Sequence, residues 1–155
     1  MSQRPALIWD FDGTLAYQEG KWSGAMIAAM DELACGHGLT LSDVRPLMSS
    51  GFPWDQPDRL HPELCDPQAW WDFLETYLVR VAVALGVQPE LAGKIAKRVH
   101  AVQADSRSYH LYPDTLSTLV SLKEQGYRMV ILSNHVPELP QIVQDLGLTE
   151  LFAAV

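Results

Sequence analysis

The chain has 155 residues, of which 48% are hydrophobic and 19% are charged. It is long enough for one domain with a core, or for a small core with an inserted lid, but too short for two domains of typical size. Eleven Lys and Arg residues face 19 Asp and Glu residues, for a formal net charge of −8, whereas nucleic-acid-binding proteins usually carry a basic excess, so we expect no nucleic-acid partner.

The first predicted element is a short strand at residues 6–9, where Ala-Leu-Ile-Trp forms a continuous apolar run. Such a run is typical of a strand buried on both faces, as in a parallel sheet. It is too short for a signal peptide, and no apolar stretch approaches the roughly 18 residues of a membrane span. We therefore expect a cytoplasmic protein with no membrane partner.

A long helical block follows this strand. The apolar spacing predicts helices at residues 22–35, 42–48, 68–85 and 89–104, with a loop rich in Pro and Asp at 51–67. A block of roughly 90 residues is far too long for an ordinary crossover between strands. We interpret residues 16–106 as an insertion, placed where a lid over a site at the carboxyl edge of a sheet would be attached.

The remaining chain returns to a strand–helix pattern. The sequence predicts a helix after Pro113, a strand at 127–132, a helix at 136–146 and the opening of a third strand at 151–155. A strand–helix–strand order with short connections implies a parallel sheet with right-handed crossovers. The predicted fold is therefore α/β, with a parallel-sheet core at 1–15 and 107–155 and a helical insertion.

The most polar short motifs follow the two predicted strands. Asp10 and Asp12 end the first strand, and Ser133 and Asn134 end the second. Ligands of open α/β sheets lie outside the carboxyl ends of the strands, so we expect these residues to lie near one another. Two neighbouring carboxylates repel and need a cation or a shared proton, and Mg²⁺ prefers oxygen ligands of this kind.

These residue types suit phosphoryl transfer. A carboxylate can act as nucleophile, a metal reduces charge repulsion, and the Ser133 hydroxyl can donate to phosphoryl oxygens. Gly13 allows backbone N–H groups to approach an anion closely. By itself, however, the Asp-x-Asp-Gly motif also fits a plain turn in which Asp side chains bond their own backbone. An EF-hand is excluded, because its sixth position requires Gly and this loop has Leu15 there.

Residues 8–15, IWDFDGTL, resemble the first motif of the haloacid dehalogenase-like hydrolases, and residues 129–134, MVILSN, resemble the second. The helical insertion at 16–106 resembles the cap that this family inserts after the first motif. The resemblance covers nearly the whole chain and implies a Rossmann-like parallel-sheet core with a helical cap. It also implies a hydrolase of the phosphatase type.

The resemblance assigns roles to individual residues. Asp10 would be the nucleophile that forms an aspartyl-phosphate, and a ligand of Mg²⁺. Asp12 would protonate the leaving alcohol and then act as base for water, while its backbone carbonyl binds the metal. Ser133 would hydrogen-bond the phosphoryl group, with Asn134 and Gly13 completing the phosphate site. An acid at position 12 favours phosphate chemistry over dehalogenation, and a lid favours a small phosphorylated metabolite as substrate.

The sequence also departs from the family pattern. The pattern continues past a third strand to a Lys and further acids, whereas this sequence ends at Val155, and Lys123 is better explained as part of a solvated helix face. We therefore expect a fragment or a truncated product, incomplete at the C-terminal side, with weak or absent activity alone. A cut sheet edge would invite pairing with another strand, so a homo-oligomer is possible.

Two alternatives stay open at this point. The first is a non-catalytic remnant or regulatory binding module that keeps the fold, and the second is a phosphotransferase or mutase of the same superfamily. His135 follows the second motif directly. We expect it to be a surface or helix-start residue rather than part of the site.

Overall fold

The computed structural model describes residues 5–155. The chain forms two compact units: unit 1 comprises Met1–Glu19 and Ala104–Val155, and unit 2 comprises Gly20–Gln103. The sequence-based boundaries, at 16 and 106, lie a few residues from these. That the inserted unit serves as a cap stays a prediction.

The helices and strands follow in chain order. They are β1 (Leu7–Trp9), β2 (Ala16–Tyr17), α1 (Lys21–Leu33), α2 (Leu41–Val44), α3 (Pro67–Ala84), α4 (Pro89–Ala104), β3 (His110–Leu111), α5 (Thr115–Glu124), β4 (Met129–Ile131) and α6 (Leu139–Asp145). Short 3₁₀ turns fill several of the connections. Within residues 5–155, no helix combines the length and the apolar character that crossing a membrane requires.

The sheet of unit 1 is parallel, as predicted. β1 pairs with β4 in the register Leu7 to Met129 and Trp9 to Ile131. On the other edge of β4, Ile131 N donates to Ala154 O at 3.0 Å. The backbone at 153–154 therefore lies along β4, whereas Leu151, where we predicted that a third strand begins, ends a 3₁₀ turn.

The two faces of this sheet differ, which corrects the expectation of a first strand buried on both sides. Met129 and Ile131 are 1% and 5% exposed, and Leu7 and Trp9 lie beside them on the same face. Ile8 points to the opposite face and is 68% exposed. Side chains alternate between the faces of a strand, so the apolar run identified the strand while its packing set which face is covered.

The chain makes a tight turn directly after β1. Phe11 O accepts hydrogen bonds from Leu15 N at 2.9 Å and Ala16 N at 3.1 Å, and Gly13 N donates to Ala16 O at 2.8 Å. Gly13 has φ of 81°, a conformation that side chains rarely adopt. This turn leads into β2, which pairs antiparallel with β3.

The helices of unit 1 hold this turn in place. At the start of α5, Thr115 Oγ1 donates to Leu15 O at 2.8 Å, and Thr115 is buried. α6 begins at Leu139 rather than at residue 136 as predicted. Pro137 disfavours helical geometry at the residue before it, and Pro140 fits the first turn, where its missing N–H costs nothing.

Unit 2 is all-helical over its described elements, and its long helices lie close to the predicted ranges. Asp66 begins α3 by accepting hydrogen bonds from Gln68 N and Ala69 N, both at 3.0 Å, and Pro67 occupies the first turn. The buried residues of α3 recur at helical spacing: Trp70, Trp71, Leu74, Tyr77, Leu78, Val81 and Ala82. In α4 they are Ala92, Ile95, Ala96, Val99 and Gln103.

Candidate active site

The ends of the two paired strands bring Asp10 and Ser133 into contact, although 123 positions separate them. Ser133 Oγ donates to Asp10 Oδ1 at 2.6 Å. The strand pairing explains this contact, because Leu132 N continues the ladder by donating to Trp9 O at 2.9 Å. The residues that follow β1 and β4 therefore emerge side by side at the carboxyl edge of the sheet.

The Asp10 carboxylate is held on one oxygen. Besides the Ser133 bond, Phe11 N donates to Asp10 Oδ1 at 2.8 Å. Both bonds reach Oδ1, and Oδ2 accepts no hydrogen bond from residues 5–155. Asp10 is exposed, so a solute can reach this oxygen.

Asp12 lies in the turn after β1, and its side chain is 33% exposed. Phe11 between the two acids is 0% exposed, so the motif alternates between two solvent-reachable acids and one core side chain. This alternation places both carboxylates at the surface of unit 1. Backbone polar groups in the turn are largely used locally, and the Gly13 N–H in particular is bonded to Ala16 O.

Of the remaining predicted residues, Asn134 is exposed. No hydrogen bond from residues 5–155 holds its side chain. It follows Ser133 directly and is free to turn toward a ligand. Gly13 N is bonded to Ala16 O in this structure, a Cβ at this position would meet nothing within 4 Å, and the turn depends on the positive φ of Gly13.

His135 is the residue whose place the sequence did not predict. Its side chain is 3% exposed, and its Nε2 lies 3.7 Å from Asp12 Oδ2. The ring packs edge-on against Phe11, with centroids 5.2 Å apart, and against Tyr109 at 5.4 Å. The expectation of a surface histidine is therefore wrong, because the segment between β4 and α6 turns this ring into the core of unit 1.

Burial and charge act on this cluster together. Burial lowers the pKa of His135, while the nearby carboxylates of Asp12, Asp10 and Glu138 and the Val136 backbone act in the opposite direction. Burial also raises the pKa of Tyr109, and the charges of Asp12 and Glu138 add to this effect. Tyr109 is therefore a neutral phenol at ordinary pH, beside a set of acidic groups.

Two cationic side chains of unit 1, Lys123 and Arg107, interact with residues other than Asp10 and Asp12. The Lys123 ammonium donates to the Glu150 carbonyl, and Arg107 pairs with Asp105, with Nη2 and Oδ2 2.7 Å apart. Among residues 5–155, no group of three or more His, Cys, Asp or Glu side chains is arranged to hold a metal ion. The Asp10 carboxylate accepts hydrogen bonds from Ser133 Oγ and Phe11 N, and the Asp12 carboxylate lies near the His135 ring.

The family model of the haloacid dehalogenase-like hydrolases matches residues 5–155. The chain belongs to this family. The assignment confirms the resemblance seen in the two motifs, and with it the α/β fold class. A comparison with curated proteins gives no match.

Several solved structures have a similar fold. A predicted phosphoglycolate phosphatase from Haemophilus somnus is 14% identical with a TM-score of 0.60, and the match covers 99% of this chain and 62% of that one. A dehalogenase is 19% identical with a TM-score of 0.64, at 99% and 62% coverage. The HAD-hydrolase YfnB from Bacillus subtilis, bound to magnesium, is 14% identical with a TM-score of 0.57, at 99% and 64% coverage. This chain therefore spans less than two thirds of the length of these structures, and the likeness shows the shared fold.

Proposed function

We propose that this chain carries the phosphoryl-transfer site of a magnesium-dependent phosphatase, which acts on a small phosphorylated metabolite through an aspartyl-phosphate on Asp10. The observation that carries the proposal is the 2.6 Å hydrogen bond from Ser133 Oγ to Asp10 Oδ1 at the ends of two paired parallel strands. The bond supports the proposal because it brings the carboxylate that we assign as nucleophile next to a hydroxyl that can donate a hydrogen bond to phosphate. Family membership supports the hydrolase class.

The first chemical step uses the oxygen of Asp10 that accepts no hydrogen bond from residues 5–155. Asp10 Oδ2 attacks phosphorus, the bond from phosphorus to the ester oxygen breaks, and Asp12 gives its proton to the departing alcohol. In the second step water attacks the aspartyl-phosphate, Asp12 takes the proton from this water, and Asp10 leaves as a carboxylate. Asn134 can donate hydrogen bonds to phosphoryl oxygens during both steps, whereas the single Ser133 O–H donates either to Asp10 Oδ1 or, once substrate is bound, to a phosphoryl oxygen.

Magnesium fits the residues present. The available donors are carboxylate and carbonyl oxygens, and Mg²⁺ commonly takes only one or two carboxylates while waters and substrate phosphate fill its other positions. Among the described residues no three His, Cys, Asp or Glu side chains form a metal site. A site with only one or two carboxylates is still compatible with the way in which Mg²⁺ is usually bound. The Asp10 carboxylate and the backbone carbonyl of Asp12 would hold the ion, which would reduce the charge repulsion between phosphate and nucleophile.

The proposal assigns unit 2 the role of a cap that limits substrate size, so the expected partner is a small phosphorylated molecule rather than a nucleic acid or membrane. The test follows the first step as well as turnover, because formation of the aspartyl-phosphate reports directly on Asp10. A single phosphorylation of Asp10 is enough to detect the proposed chemistry.

The experiment incubates the purified chain with p-nitrophenyl phosphate and Mg²⁺. It records nitrophenol release and traps the acyl-phosphate with hydroxylamine for peptide mass analysis. We expect a modified Asp10 in the wild type, none after chelation of Mg²⁺, and none in Asp10→Asn. Asp58→Asn, which removes an exposed acid in unit 2, is the control and should match the wild type.

The outcomes separate the alternatives. Absence of any acyl-phosphate and of turnover, while phosphate still binds, would favour a non-catalytic binding module. A modified Asp10 that decays slowly in water but rapidly when a sugar hydroxyl is supplied would favour a phosphotransferase or mutase. Turnover that survives in Asp10→Asn would refute the nucleophile assignment.

A further inference from the structure

We infer that Thr115 is a positioning residue, whose buried hydroxyl fixes the turn that carries the backbone of Asp12. The inference rests on the proposed function, in which Asp12 is the acid and base. The observation behind it is the hydrogen bond that Thr115 Oγ1 donates to Leu15 O at 2.8 Å, across 100 positions of the sequence. Thr115 itself lies outside both sequence motifs.

Three elements of unit 1 meet at the carbonyl group of Leu15. Leu15 closes the turn after β1, and its carbonyl oxygen also accepts a longer hydrogen bond from Tyr112 N, at 3.3 Å, where the chain leaves β3. Thr115 is the first residue of α5. Leu15 is 1% and Thr115 is 5% exposed, so water cannot easily replace the hydroxyl if it is removed.

Two peptide groups connect this carbonyl with Asp12. The Leu15 carbonyl and the Ala16 N–H belong to one planar peptide group, and Ala16 N donates to Phe11 O at 3.1 Å. The Phe11 carbonyl belongs in turn to the peptide group that ends at the nitrogen of Asp12. Asp12 and Ala16 are also paired directly, as an isolated bridge. A displacement of the Leu15 carbonyl is therefore passed on to the backbone of Asp12.

The Thr115 bond acts on the backbone of Asp12 and leaves the contacts of the Asp12 side chain as they are. Asp10 is held separately, because its Oδ1 accepts hydrogen bonds from Ser133 Oγ and Phe11 N. Without the Thr115 hydroxyl, the buried Leu15 carbonyl keeps only the longer bond from Tyr112. The loss should therefore impair proton transfer by Asp12 more than attack by Asp10.

Two substrates separate these effects. Phenolate is a more basic leaving group than nitrophenolate, so its departure depends more strongly on a proton from Asp12. A displaced Asp12 should therefore slow the phosphorylation of Asp10 by phenyl phosphate more than that by p-nitrophenyl phosphate. A lower fraction of folded protein would instead reduce both rates by the same factor.

The test uses Thr115→Val, which removes the hydroxyl and keeps the shape of the side chain. We expect single-turnover phosphorylation of Asp10 to slow by about tenfold with phenyl phosphate and by less than about threefold with p-nitrophenyl phosphate. The substrate concentration that gives half the maximal rate should not change. Thr115→Ser retains the hydroxyl and should recover most of the rate. Thr118→Val removes an exposed hydroxyl from the same helix and should match the wild type.

A second measurement, amide hydrogen exchange followed by NMR, needs no activity. In the wild type we expect the Ala16 N–H to be protected, because its bond to Phe11 O lies in the turn that Thr115 holds. In Thr115→Val this amide should exchange about tenfold faster. The Ile131 N–H, which is bonded to Ala154 O beside β4, is the internal reference and should change less.

An equal loss on both substrates, or no loss on either, would mean that the Thr115 bond only stabilises the fold and would overturn the inference. A wild-type Ala16 amide without protection would also overturn it, even if Thr115→Val does not fold. The proposed function is tested separately. If the wild type forms no acyl-phosphate, that function is refuted and the inference falls with it, whereas an acyl-phosphate with equal losses on both substrates refutes the inference alone.

Discussion

Replacing Ser133 by Ala tests the contact on which the candidate site is built. The bond from Ser133 Oγ to Asp10 Oδ1 measures 2.6 Å, within the range of O–H donors to ionised carboxylates. Removal leaves Asp10 with the Phe11 N–H as its described donor, at 2.8 Å. The carboxylate then loses half of the restraint that aims its other oxygen at phosphorus.

The magnitude follows from the strength of such bonds. Hydrogen bonds to charged groups contribute about 1.5–3 kcal/mol, which corresponds to a rate change of about 10- to 150-fold. The pair is exposed to solvent, and water can replace part of the lost bond, so we expect the lower end, about a tenfold slower phosphorylation of Asp10.

The assay is the single-turnover trapping of the acyl-phosphate with p-nitrophenyl phosphate. Ser133→Thr retains a hydroxyl and should recover most of the rate. Ser117→Ala, which removes an exposed hydroxyl bonded to Asp114 O within the same unit, should leave the rate unchanged. An unaltered rate in Ser133→Ala, or a Ser133→Thr variant as slow as Ser133→Ala, would refute the reasoning.

Two further predictions concern the stability of unit 2. The Tyr77 hydroxyl shares its single proton between Ser50 O at 2.7 Å and Leu47 O at 3.0 Å. Tyr77→Phe should therefore lower the free energy of unfolding by about 1–2 kcal/mol in urea titrations at neutral pH. Burial raises the pKa of Tyr77 above its ordinary value of 10.0. The tyrosine therefore ionises first in the unfolded chain, and the free energy of unfolding falls as the pH rises above 10.0. In Tyr77→Phe this contribution to the loss of stability at alkaline pH should be absent. Asp66→Ala removes the cap of α3 and should lower the free energy of unfolding by about 1 kcal/mol, whereas Asp66→Asn should stay close to the wild type. Thermal unfolding followed by circular dichroism measures the difference. Equal melting temperatures for Asp66→Ala and the wild type would contradict the capping role.

The sequence was sufficient for those features that depend on local chemistry. The apolar run before Asp10 and the run before Ser133 identified two strands, and parallel topology then implied that their carboxyl ends meet. Helical spacing located the long helices of unit 2 within a few residues, because buried side chains recur with the period of the helix. The predicted start of α6 was less accurate, because Pro137 and Pro140 together move the start of the helix toward the C-terminal side.

Other features depended on which segments pack together in three dimensions. Ile8 belongs to an apolar run but is 68% exposed, because burial depends on what covers a strand face and not on the strand itself. His135 looked like a surface residue, yet its ring is enclosed by Phe11 and Tyr109, which come from distant parts of the chain. Local sequence determines periodicity and turns, whereas the environment of a side chain is set by residues remote in sequence, so only the tertiary structure could place His135 beside Asp12.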